Sequence, residues 1–216
     1  MSTNHEDFST PTHSSYVVGI TGASGSGKTS FAHRLCAAFA PDEICIVSQD
    51  NYYKPFEHQQ PDPNGVINFD LPESFHLKDY ASDIRALRDG KTVRIQEYNF
   101  NNKNNPISTS IELTSTPIII VEGLFIFHAQ ELWELFDLKV FVDVEDHIRL
   151  KRRILRDNEE RGHSLDDVLY RYEFHVSPSY QKYIAPYKFE SDMIIPNNRN
   201  FDKGLEVLVA FLKSKL

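Results

Sequence analysis

The sequence predicts an α/β fold, a mostly parallel sheet flanked by helices, and three observations predict it. Short unbroken apolar runs at "YVVGI" (16–20), "PIIIVEG" (117–123) and "LKVFVDV" (138–144) read as strands covered on both faces. Segments with helical period alternate with them, as crossover connections between parallel strands require. The stretch "KTVRIQEYNF" and "STSIELT" departs from this pattern, because apolar and polar residues alternate along it. It predicts an antiparallel hairpin inserted beside the sheet at about 91–115, with Asn-rich "NNKNNP" at its turn.

The elements follow in order. After "YVVGI", the apolar residues Phe31, Leu35 and Phe39 recur at helical spacing. "EICIVSQ" (43–49) is a second strand. In "PESFHLKDYASDIRALRDG" a helix puts Phe75, Tyr80, Ile84 and Leu87 on one side and stops at Gly90. "HAQELWELF" is a short helix in which Trp133 packs. Residues 146–160 form a basic helix, and 164–176 another, with Ser164 as N-cap. "SDMIIP" is a last strand before a closing helix at 203–214.

Composition bounds the function. The chain has 216 residues, enough for one domain over 16–216, and its first 15 residues read as a disordered polar tail. A net charge of −8 argues against a general nucleic-acid binder. No apolar run reaches the length of about 20 residues that a membrane span needs. The two cysteines, Cys36 and Cys45, lack metal-ligand spacing and read as buried thiols in a reducing, cytoplasmic setting.

The stretch "GITGASGSGKTSFAHRL" (19–35) carries the sharpest chemistry. Gly22, Gly27, Lys28 and Thr29 fill the pattern GxxxxGK[ST] between a strand and a helix, the context that confirms a phosphate-binding loop. Glycines let the amides of Gly22, Ala23, Ser24, Gly25, Ser26 and Gly27 close on phosphate oxygens at a helix N-terminus. Lys28 reaches the β- and γ-phosphates, and Thr29 offers its hydroxyl to Mg²⁺. The expected sheet is thus of P-loop NTPase type.

Two acids, Asp50 and Glu122, lie at the carboxyl ends of strands, where open α/β sheets bind ligands. One can take a proton from an acceptor hydroxyl, and both can help hold the metal. On the basic helix, Arg149, Arg152, Arg153 and Arg156 fall within about a quarter-circle, opposite Ile148, Leu150, Ile154 and Leu155. The expectation is an apolar side packed inward and an arginine stripe facing outward. The stripe serves either as phosphate-facing charge or as a solvated face laced with pairs such as Arg153–Asp157. His58, His76, His128, His147 and His175 read as surface or packing residues, and Tyr170, Tyr172 and Phe174 as packing. "NNRNFDKG" (197–204) is a candidate border for adenine.

Taken together, "GASGSGKT", "VSQDNYY", "NFDLPESF", "VEGLFIF", "FVDVEDHIRLKRRILRDNEERG" and "SDMIIP" resemble the uridine kinase (uridine–cytidine kinase) family over about residues 16–197. The resemblance implies ATP- and Mg²⁺-dependent phosphorylation of a nucleoside 5′-hydroxyl, with ATP or GTP as donor. It implies that Asp50 is the base, Asp70 the acid that holds the ribose hydroxyls, and Tyr53 and Tyr98 the aromatic border of the nucleoside. Thr29, Asp50 and Glu122 match the metal environment. Arg153, Arg156 and Arg161 match phosphate-facing arginines of a lid at about 146–163. A homo-oligomer, dimer or tetramer, is also implied.

Departures from the family pattern cluster at base recognition. Asn99 stands in place of an aspartate, Lys103 of a histidine, Asn105 of an arginine, Arg171 of a glutamine and His163 of an arginine. Lysine offers donors only, so it cannot mimic both faces of a neutral histidine. Lys103 and Arg171 therefore read as donors to carbonyl oxygens or an anionic group, or else Lys103 faces solvent. Two rival functions follow: a related P-loop kinase with another, anionic alcohol acceptor, and a nucleotide switch with little kinase activity. No NKxD segment supports a GTPase.

Overall fold

The computed structural model describes residues 14–98, 107–159 and 162–216. Five parallel strands form the central sheet, in the order β2 (Ile44–Ser48), β7 (Ile118–Glu122), β1 (Tyr16–Gly22), β8 (Leu138–Asp143) and β9 (Met193–Pro196). The apolar runs are strands because each face of the sheet is covered. On β7, Ile118 and Ile120 pack with Phe31 and Leu35 of α1 (Lys28–Cys36) and with Leu205, Leu208 and Leu212 of α7 (Asp202–Lys213). Ile119 and Val121 point the other way, to Tyr80, Ile84 and Leu87 of α2 (Leu77–Arg88). All four β7 side chains have no exposed surface, as period-two packing between two helical layers demands.

Two small antiparallel pairs stand apart from this sheet. β5 (Val93–Tyr98) and β6 (Ile107–Leu113) make the hairpin expected from alternation, with a register shift between Glu97 and Tyr98. β3 (Gln60–Pro61) and β4 (Ile67–Asn68) make a second one, too short to leave a period-two signal. Trp133, on α3 (Gln130–Trp133), packs edge-on against Phe127 as expected.

Several helix readings are corrected. α1 ends at Cys36, so Phe39 packs from the following turn. Phe75 precedes α2 in an extended bridge to Tyr53 and joins a separate cluster with Phe125, Phe141 and Ile184. The helix expected at 164–176 is α5 (Leu165–Arg171), which widens into a π-turn over Tyr172–Val176 and continues through α6 (Ser177–Ser179) and a second π-turn, Tyr180–Ile184. Phe174 is exposed on it.

The largest correction concerns α4 (Asp146–Glu159). Its buried residues are Arg149, Arg153 and Asp157, whereas Leu155 is 48% exposed. The arginine side of the helix faces inward. Helical period defines a face but not which face turns in, and here paired charges hold the inner one.

Candidate active site

β1 delivers the chain into the glycine loop at the carboxyl edge of the sheet. Gly25 (φ +80°) and Gly27 (φ +89°) need the left-handed region, and neither has room for a side chain. A Cβ on Gly25 would lie 2.7 Å from the Arg149 carbonyl oxygen, and one on Gly27 2.5 Å from Asn197 Nδ2. The same Asn197, buried just past β9, donates from Nδ2 to the Ser26 carbonyl at 2.7 Å. α1 opens at Gly27 with no side-chain cap, so its first amides stay available to an anion. Sequence reading took Asn197 only as part of the 197–204 stretch bordering adenine and missed it as a loop anchor; one asparagine among the three of "NNRN" carries no distinctive signal.

Lys28 and Thr29 open α1 beside Glu122, the last residue of β7. Glu122 is 1% exposed, accepting from Ser48 Oγ at 2.6 Å and from Thr29 Oγ1 at 3.4 Å. Burial raises its pKa, the Lys28 charge opposes that, and the charge on Asp50 adds to it. Asp50 sits in a 3₁₀ turn directly after β2, its amide donating to Ser48 Oγ at 3.3 Å. Lys28, Thr29, Asp50 and Glu122 thus meet at one end of adjacent strands, with Ser48 as a link that the sequence did not single out.

The residues expected to face an acceptor come from loops. The Tyr53 ring lies 5.3 Å from that of Tyr98 and 4.0 Å from that of Phe75. Asp70 follows β4, its amide bonded to Asn68 Oδ1 at 2.9 Å. Arg153 joins the two halves. It donates to Ser24 Oγ in the glycine loop at 2.9 Å, pairs with Asp157 at 3.1 Å, and approaches Asp70 at 3.8 Å. Arg156 pairs with Asp157 at 2.9 Å.

Arg171 is held by both oxygens of Asp167 at 3.1 Å and donates to the Ile67 carbonyl at 2.9 Å. His163 adds a 2.8 Å contact to Asp167. Lys103, Asn99, Asn105 and Arg161 lie outside the described residues. His58, His76, His128 and His147 are exposed, as expected. His175 is buried and bonded to Asp62 at 2.8 Å, a contact no local pattern announces.

The chain matches the sequence model of the Phosphoribulokinase / Uridine kinase family over residues 17–203. It is 34% identical over 201 residues to uridine-cytidine kinase B of Dictyostelium discoideum, covering 93% of this chain and 82% of that one. It is 35% identical to the uridine kinase of Lactobacillus johnsonii, covering 93% and 95%. Its fold is similar to that of phosphoribulokinase from Rhodobacter spheroides, with a TM-score of 0.62 at 16% identity, over 86% of this chain and 71% of that one.

Proposed function

The chain belongs to the phosphoribulokinase / uridine kinase family, and from that premise we propose that it transfers the γ-phosphoryl group of ATP to the 5′-hydroxyl of uridine or cytidine. The observation that carries this reading is the bridge made by Arg153 between the glycine loop at Ser24 and the acceptor-side acid Asp70. Donor and acceptor groups adjoin across one buried guanidinium.

Asp50 takes the proton from the 5′-hydroxyl as its oxygen attacks the γ-phosphorus. Asp70 accepts from the vicinal ribose hydroxyls, which suit one carboxylate. Tyr53 and Tyr98 border the base with aromatic faces. Lys28, Arg153 and Arg156, with Arg161 from beyond α4, hold the charge that spreads over the transferring oxygens. Arg171, fixed by Asp167 and Ile67, points to specificity rather than catalysis, and Lys103 is assigned to the same task.

The residues present fit Mg²⁺. Thr29, Asp50 and Glu122 offer hard oxygen donors, and the described residues contain no cage of three or more acidic, histidine or cysteine ligands. Magnesium keeps waters and phosphate oxygens and needs only one or two carboxylates, so this donor set suits a metal that arrives with the nucleotide. When bound, it supplies charge neutralisation at the β- and γ-phosphates. No described helix is long and apolar enough to cross a membrane, and we assign the enzyme to the cytoplasm, acting on small molecules rather than nucleic acid, as a homo-oligomer. An anionic alcohol acceptor and a silent nucleotide switch are not favoured, since the named relatives are uridine and uridine–cytidine kinases.

The test is ADP formation with Mg-ATP or Mg-GTP against uridine, cytidine, other nucleosides, pantothenate and ribulose 5-phosphate. Turnover on uridine or cytidine should fall by roughly 10²- to 10⁴-fold in Asp50→Asn. Silence on every nucleoside with turnover on another alcohol would overturn the reading.

A further inference from the structure

A second buried polar cluster lies away from the phosphate loop. Asp62, in the turn between β3 and β4, has a carboxylate only 8% exposed, and the His175 side chain opposite is 0% exposed. Asp62 Oδ2 accepts from the Tyr170 hydroxyl at 2.7 Å and faces His175 Nε2 at 2.8 Å. Its Oδ1 accepts from the amides of Asn64 and Val66, both at 2.9 Å. Tyr170 in turn accepts from Asn64 Nδ2 at 2.7 Å. Burial pushes the Asp62 carboxyl up, but the bonds from Tyr170, His175, Val66 and Asn64 outweigh it and hold the group well below the usual carboxylate range. An ionised carboxylate only accepts, so Nε2 carries the proton it donates.

The backbone is shaped for this contact. Tyr170 and His175 are five residues apart, and five α-helical steps of about 100° each place two side chains about 140° apart. The π-turn at Tyr172–Val176, which holds His175 and follows Tyr170 by two residues, is wider than an α-turn and so reduces that angle. The two rings meet edge-on, with centroids 5.9 Å apart. Nδ1 of His175 is buried without a hydrogen-bond partner among the described residues, a cost the fold bears at a site where one nitrogen is already committed to Asp62.

From Asp62 the chain runs through β4 to Asn68, which holds the Asp70 amide, and the Ile67 carbonyl between them is gripped by Arg171 from the same helix. We infer that His175 and Tyr170, acting through Asp62, are positioning residues that fix the β3–β4 hairpin on α5 and its π-turn and so hold Asp70 in place for the acceptor. They touch neither substrate nor reacting atoms. The inference rests on the proposed role of Asp70 in holding the ribose.

The test compares His175→Phe, His175→Gln and Tyr170→Phe with wild type by steady-state kinetics and by amide hydrogen exchange. In His175→Phe the KM for uridine or cytidine should rise about tenfold, the loss of one hydrogen bond to a charged group, with KM for ATP and kcat within about twofold of wild type. Glutamine, which keeps an N–H donor, should restore most of the affinity. Exchange should accelerate across 62–70 and stay unchanged in β1 and α1. Should His175→Phe fail to fold, Tyr170→Phe, which removes a single hydroxyl, carries the same expectation at smaller size. A folded His175→Phe with unchanged exchange at 62–70, or with unchanged nucleoside KM, would overturn the inference. If wild type phosphorylates no nucleoside, the proposed function fails, while exchange at 62–70 still decides whether the tether exists.

Discussion

The proposed donor half and the proposed acceptor half of the site are built by different means. The donor half is backbone: a loop between β1 and α1, at the carboxyl end of the sheet beside β7 and the edge strand β2. The acceptor half is a set of loops and short hairpins held by side chains that reach across the sequence, 113 residues from Asp62 to His175 and 104 from Ile67 to Arg171. The first kind of construction tolerates almost no change of shape near the phosphates. The second lets binding of one substrate be tuned without touching the chemistry, because each tether is a separate contact.

The largest effect should come from the donor half. Lys28→Ala is expected to lower kcat by about 10³-fold or more while the protein stays folded, since a preorganised charge on the transferring group is lost; single-turnover assays would show it. If instead the nucleoside KM rose and kcat held, the two halves would not be separable. Next comes Arg153, the bridge between them. Arg153→Met removes one of the two arginines on buried Asp157, at 3.1 Å, while Arg156 stays paired with it at 2.9 Å, so the loss should be roughly 1.5–3 kcal/mol, read as a lower urea midpoint together with lost activity.

A smaller effect is expected at Asp62. Its folded-state pKa lies below its unfolded value, so its stabilisation is present above the ordinary carboxylate pKa, near 4, and is lost as pH falls through the depressed value. Asp62→Asn should therefore be less stable than wild type at neutral pH, and the gap should narrow on acidification below about pH 4. A constant gap across an acid titration of thermal unfolding would break the assignment. Smallest of all, Leu155→Ala on the exposed side of α4 should change stability by no more than about 0.5 kcal/mol. A core-sized loss there would mean that α4 packs with its leucine inward after all.

The same contrast explains what the sequence revealed. The strands and the glycine loop were legible because their causes are local: unbroken apolar runs, and a motif contiguous from Gly22 to Thr29. Asp50 was nameable from its place at the carboxyl end of a strand, and Asp70, Tyr53 and Tyr98 through a family resemblance; the fold brings Tyr53 and Tyr98 together and puts Asp70 near Arg153. Asp62 and His175 were invisible, because each is ordinary in its own segment and gains meaning only from the other. The π-turn was equally silent, since Tyr172–Val176 has no composition that sets it apart from an α-helix. Arg171 was marked as a base reader, and its bonds to Asp167 and Ile67 also make it a brace for β4. The orientation of α4 was misread for a related reason. Hydrophobic period assumes that the buried face is the apolar one, and that fails where Arg149, Arg153 and Asp157 supply one another, Ser24, Asp146 and Tyr172 with partners.

That inverted helix has a thermodynamic consequence. The side chains α4 buries most completely are ionic, while Ile148, Leu150 and Ile154 are only half-buried, so swinging it away from the glycine loop would hydrate charge as well as uncover some hydrocarbon. Apolar exposure raises heat capacity and polar exposure lowers it. If α4 closes on nucleotide as the proposed lid, its movement would therefore carry only a small heat-capacity change and a strong dependence on ionic strength. Calorimetry of nucleotide binding at several temperatures and salt concentrations would register both.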